Sequence, residues 1–144
     1  PAVEVFDLNL PVPSTGPALL GSFFPYSASF TGGVYVAAGN LNSSGDAAII
    51  TGPGAGGGPQ VMAFSLANGS FTTLLNFFAF DPSFAGGVRV GAVFQGSTAN
   101  IVAGPGPSGG PEVEIFSGLN GQLIDEFFAF DPSVTAGLYV GGLG

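Results

Sequence analysis

The side chains able to do chemistry in this chain are few. Nine carboxylates and a single cation, Arg89, make up the whole charged complement of 144 residues, and there is no Cys, His or Trp. Zinc sites of the usual kind and catalysis by a Cys or His nucleophile or base are excluded on that inventory. What remains is carboxylate chemistry and one guanidinium. Glu112 with Glu114 and Asp125 with Glu126 are the close acid pairs. At a spacing of i, i+2 the first pair shares one strand face, an arrangement that can serve a glycosidase. Opposite apolar Val113 and Ile115, however, these two acids are expected on a solvated outer face, away from any shaped pocket. No catalytic residue is assigned, and the chain is read as non-enzymatic.

Other motifs have structural explanations. Gly52-x-Gly54-x-x-Gly57 and Gly104-x-Gly106-x-x-Gly109 match a dinucleotide fingerprint, but a Pro and then a strand follow where a helix must present its N-terminus to phosphate. Asp81 and Asp131 precede Pro, the pattern of a turn whose carboxylate accepts from backbone amides. Asn42-Ser43-Ser44 and Asn68-Gly69-Ser70 fit the N-glycosylation pattern, so Asn42 and Asn68 are candidate modification sites. Arg89 is open to three readings: pairing with a carboxylate such as Asp81, stacking on an aromatic ring, or joining Tyr35 and Tyr139 in a ligand or partner contact.

Composition narrows the class. Charged residues are 7% of the chain against about 25% in an ordinary domain. A net charge of −8 with one cation cannot build the basic surface that nucleic acid requires. The 26 Gly and 12 Pro would suit a disordered chain, but 46% hydrophobic residues, 15 of them Phe, are too apolar for disorder. The length suits one domain with a real core. No apolar run is long enough to span a membrane, and no leader pattern opens the chain. The absence of Lys points to an extracellular or cell-surface setting.

The chain repeats. Phe77-Phe78-Ala79-Phe80-Asp81-Pro82-Ser83 recurs letter for letter from Phe127 to Ser133, with a looser copy at Phe23-Phe24-Pro25-Tyr26. Gly52-Pro53-Gly54 is matched by Gly104-Pro105-Gly106, and Pro59-Gln60-Val61-Met62-Ala63-Phe64 by Pro111-Glu112-Val113-Glu114-Ile115-Phe116 and by Pro1-Ala2-Val3-Glu4-Val5-Phe6. In the same alignment Tyr35, Arg89 and Tyr139 occupy one position. Within a repeat the apolar period is two, which means strands. Asn68-Gly69 and Asn120-Gly121 predict tight hairpins, and Leu10–Gly16 replaces that turn by a longer loop. Four strands are expected per repeat: Val88–Val93, Asn100–Ala103, Pro111–Phe116 and Gln122–Phe130.

Short antiparallel four-stranded units repeating every fifty or so residues predict an all-β fold of β-propeller blades. The expected division is a partial blade over 1–30, blades over 31–84 and 85–134, and a partial blade over 135–144. Stacking buries both faces of each small sheet. Small residues, Ala37-Ala38-Gly39, Gly91-Ala92 and Gly141-Gly142, would line the crowded inner strand, and the Phe-rich fourth strand would fill the wider outer space.

The run from Ala99 to Gly106, then Gly110 to Phe116, then Phe127 to Pro132, resembles the FG-GAP-like, VCBS-type (integrin-α-like) repeat across essentially the whole chain. The resemblance implies a secreted or surface β-propeller. It also implies a calcium loop between the first and second strands, but the matching positions are Asn40, Asn42, Ser44 and Ala48 with an off-pattern Asp46. Calcium needs several oxygens, some of them charged, so that site is expected to be lost and no cofactor is assigned.

Eleven strands are expected, the last being Leu138–Gly142, so two blades are complete and the terminal ones are not. Such a piece is expected to be completed by copies of itself or by further blades of a larger surface protein. A structural, interaction-making module is the expected function, with a glycan-binding, lectin-like propeller as the alternative.

Overall fold

The computed structural model describes residues 1–8, 16–42 and 45–142, so most of the Leu10–Gly16 loop, together with Ser43 and Ser44, lies outside the described residues. Among the described residues, ten strands form three antiparallel sheets, none closed into a barrel. The first sheet pairs β1 (Val3–Asp7) with β2 (Ala18–Phe23). The second runs β3 (Val34–Gly39), β4 (Ala48–Pro53), β5 (Gln60–Ala67) and β6 (Ser70–Phe78). The third runs β7 (Val88–Gln95), β8 (Thr98–Pro105), β9 (Glu112–Phe116) and β10 (Leu123–Phe128), again in chain order. The described residues include no helix long and apolar enough to cross a membrane.

The two four-stranded sheets repeat each other in register as well as in order. Val34 faces Pro53 and Ile49 faces Phe64 in one; Val88 faces Pro105 and Ile101 faces Phe116 in the other. Both carry a register shift between the third and fourth strands, at Ala63/Phe64 and at Leu123/Asp125. The β5–β6 turn is the tight one expected: Asn68 and Gly69 both have positive φ, 51° and 75°. The β9–β10 turn differs. Only Gly121 is left-handed there, and the loop is closed by Gly121 N–H donating to the Ser117 carbonyl and Ser117 N–H to that of Gln122, each at 2.8 Å. Within this connection Gly118 passes so close to the Ala99 carbonyl that a Cβ on it would clash.

Alternation decides which face each residue takes, and both faces of the middle sheet are covered. Ile50, Val61 and Ala63 meet Val88, Val90, Ile101 and Ala103 in one core between the second and third sheets. On the other side Phe23 packs its ring edge-on against Phe64 at 4.7 Å and tilted over Phe71 at 4.2 Å. Between the first two sheets the buried hydroxyl of Tyr26 donates to the Gln60 carbonyl (2.9 Å) beside Thr51 Oγ1 (3.2 Å), and burial pushes its ionisation well above the ordinary phenol range. The matching positions one repeat later are apolar, Phe80 and Ala103, and belong to the second core.

The segment expected as an eleventh strand has no ladder partner and is not a strand. It crosses the open side of the third sheet, burying Leu138 with Val102 and Val113. The expected strands also shift at their ends. The second strand of the last repeat extends to Thr98–Pro105, and the fourth stops at Phe128, leaving Phe130 in the turn.

Where sheets approach most closely, main chain touches main chain. A Cβ on Gly52 would lie 2.3 Å from the Val88 carbonyl oxygen, and one on Gly142 would meet that of Ala92. Gly52→Ala therefore has to push β4 off β7 and is expected to cost about 2–3 kcal/mol. Gly58, with open space around its Cα, gives the control: Gly58→Ala is expected within about 0.5 kcal/mol of the parent. Urea midpoints on the two variants compare them directly.

Candidate functional site

Two clusters bring candidate side chains together. The first is built by β3, β7 and the 138–142 segment. Tyr35 lies on β3 opposite Gly52, so it points toward the third sheet, and Arg89 on β7 opposite Gly104 points one layer further, toward residues 138–142. Tyr139 follows on that segment. The equivalent positions of three successive repeats thus stack on one another. The Arg89 guanidinium carbon sits 3.9 Å from the Tyr139 ring centroid and 5.7 Å from that of Tyr35, and the two rings meet edge-on at 6.3 Å.

Arg89 is buried, with 6% of its surface exposed, and its Nη1 donates to the carbonyls of Pro105 (3.1 Å) and Leu138 (2.9 Å). Its Nε is buried without a hydrogen-bond partner. Of the three readings open from the sequence, stacking on aromatic rings describes what the side chain does. Its hydrogen bonds go to carbonyls, and Asp81 is occupied elsewhere. The guanidinium acts as a clamp holding the 138–142 segment onto β8, alongside the Leu138 N–H bond to the same Pro105 carbonyl at 3.1 Å. Tyr139, 77% exposed, covers the clamp from the solvent side.

The second cluster corrects an expectation. Glu112 and Glu114 were expected on a solvated outer face, but Glu114 pairs with Ala103, whose side chain is in the core between the second and third sheets. Both acids therefore face the neighbouring sheet, and it is Val113 and Ile115 that look toward the 138–142 segment. Alternation fixes which residues share a face; in a stack, neither face is simply outside. Glu126 on β10 pairs with Glu114, and the three carboxylates lie within 4.8 Å of one another. Glu112 and Glu114 line a cleft of about 330 Å³ whose other walls include Phe80, Asp81, Phe84 and Ser108. Partial burial first, and then the charges of Glu112 and Glu126, push the Glu114 carboxyl up to about 7. In the middle sheet the same positions hold Gln60, Met62 and Asn76, with Gln60 Nε2 donating to Asn76 Oδ1 at 2.8 Å.

The remaining sequence candidates fall into loops. Asp81 Oδ1 accepts from Ser83 N–H (2.8 Å) and Oγ (2.5 Å), and Asp131 accepts from Ser133 in the same way. These bonds, the side-chain one first, hold both carboxyls below the usual range. In the looser first copy Ser27 stands in, its Oγ beside Ser29 Oγ at 2.8 Å. The two glycine-rich loops spend their amides on protein carbonyls: Gly54 N–H on Gly33 and Gly106 N–H on Gly87, each at 3.0 Å. Asn42 and Asn68 are both exposed, Asn68 inside its turn; Ser43 and Ser44 of the first glycosylation pattern lie outside the described residues. In the loop between β3 and β4, Asn40 Oδ1 is buried and unpartnered, and Asp46 is the sole carboxylate. That donor set is short of the charged oxygens calcium uses. Comparison with protein-family models, curated proteins and solved structures finds no match.

Two outcomes are expected. Arg89→Ala should free the inner segment, so that the amides of Gly137 and Leu138 lose hydrogen-exchange protection while those of β7 and β8 keep theirs. The second is a pH dependence. Folded Glu114 keeps its proton up to about pH 7, whereas its ordinary value is 4.5, so its favourable contribution is complete at low pH and falls as pH rises through 7. Asp81 and Asp131 act oppositely, contributing above their ordinary value of 3.8 and losing that contribution as pH drops through their lowered values. Stability should therefore peak at about pH 4–5. Glu114→Gln should abolish the decline on the alkaline side and gain about 1 kcal/mol at about pH 8, after discounting for solvent screening. Thermal unfolding across pH checks both limbs.

Proposed function

We propose that the chain is a non-enzymatic structural and interaction module made of β-propeller blades of FG-GAP-like, VCBS type, working outside the cell or at its surface. It assembles with copies of itself or stands within a larger surface protein, and no cofactor enters this reading. The observation that carries it is the fate of the polar groups. The one cation is spent clamping the chain to itself, Asp81 and Asp131 bond their own turns, and the amides of Gly54, Gly56, Gly106 and Gly109 are taken by carbonyls. Meanwhile both outer faces of the stack expose large apolar side chains, Phe6 and Leu19 on the first sheet and Phe127 on the third. Few groups are left for chemistry, and much apolar surface is left for packing.

A glycan-binding reading draws on one feature, the exposed Tyr139 ring beside Arg89, since aromatic platforms suit sugar faces. Size-exclusion chromatography with light scattering separates the two. The module reading expects mass above that of one 14.2 kDa chain, growing with concentration. A monomer that instead binds a glycan array through Tyr139, and loses that binding on Tyr139→Ala, favours the lectin.

A further inference from the structure

The two sheet junctions share one ring contact, and each end of the stack holds half of another. At the first junction Phe23 meets Phe64 at 4.7 Å; at the second Phe77 meets Phe116, also at 4.7 Å. Phe23, Phe77 and Phe127 are the same position of the repeat, the first Phe of each Phe-Phe pair. Phe6, Phe64 and Phe116 are likewise one position, closing the Pro-x-Val-x-x-Phe motif. In the ring contact the first set always belongs to the preceding sheet and the second set to the following one. Two members are left over. Phe127 is 49% exposed on the far face of the third sheet, and Phe6 is 43% exposed on the near face of the first, opposite exposed Leu19.

Resting on the self-assembly reading above, we infer that the β1–β2 sheet of a second copy stacks on the far face of the third sheet at β10, beside the 138–142 segment, with the second copy's Phe6 seated on Phe127. The occupant is this chain itself because its first sheet already carries the missing half of the pair, in the same motif that fills the two internal junctions. Residues 138–142 cover that face as far as β9, where Leu138 packs on Val113, and leave Phe127 on β10 open to a partner. The contact is head-to-tail, so it propagates to a closed ring or a filament. Each copy carries a charge of −8, so salt should strengthen it.

Sedimentation velocity on the whole chain at raised salt tests the contact. Wild type should associate as concentration rises. Phe6→Asp and Phe127→Asp should each stay monomeric, with association weakened at least about thirtyfold. Mixed together they should give a dimer and nothing larger, because each variant retains one intact end. Both rings are exposed, so circular dichroism and melting should match the parent; if either Asp variant melts early, the corresponding Ala variant replaces it. Phe94→Asp, at another exposed ring, should associate as the parent does. Because the chain has no cysteine, Phe6→Cys and Phe127→Cys copies joined by a short bis-maleimide give an independent readout, with cross-linked dimers only when the two are mixed. A wild type that assembles while either single variant still assembles alike overturns this contact and leaves the module reading standing. A wild type that stays monomeric at every concentration overturns self-assembly itself.

Discussion

Everything in this molecule depends on sheets meeting at backbone distance along their inner strands. At Gly52 the Val88 carbonyl occupies the place of a side chain, at Gly87 the Pro53 and Gly54 main chain does, and at Gly137 that of Pro105 and Gly106. Gly87 and Gly137 also take positive φ, 76° and 68°, which a residue with a Cβ adopts only under strain. The loops that open each repeat are thus pressed against the glycine-rich loops of the repeat before, tied by bonds such as Gly56 N–H to the Ala85 carbonyl at 2.9 Å. Beyond these backbone contacts aromatic rings fill the junctions, Phe23 against Phe64 and Phe77 against Phe116.

Much of this was legible because repetition makes the chain its own alignment. The copies of the Phe-Phe motif, the Gly-Pro loops and the period-two runs are enough to place four strands in order. The same comparison puts Tyr35, Arg89 and Tyr139 at one position, and the structure stacks them. What escaped were features set by neighbours in space. Asn120-Gly121 has the letters of a tight turn, yet the connection closes through Ser117, with Gly121 N–H on its carbonyl and its own N–H on that of Gln122. Leu138–Gly142 has a strand's pattern but no adjacent strand to bond. Alternation opposite Val113 and Ile115 predicts an outward face for Glu112 and Glu114, whereas the neighbouring sheet lies on that side.

The carboxylate cluster is best understood beside its own counterpart. Gln60, Met62 and Asn76 fill that outer corner in the middle sheet with neutral groups and a side-chain hydrogen bond. In the third sheet the same corner holds Glu112, Glu114 and Glu126, which crowd charge where the fold needs none. The backbone is the same in both, so the difference in protonation behaviour belongs to the substituted side chains and to their desolvation.

The Tyr26 hydroxyl, matched to Thr51 and the Gln60 carbonyl, makes the layers distinguishable to one another. Were the first sheet to dock where the second belongs, that phenol would be stranded beside the methyl group of Ala103, and Thr51 would lose it as a partner. A chain assembled from near-copies runs the risk of pairing its layers out of sequence during folding. One oxygen on each side of one seam works as a label against such shuffling.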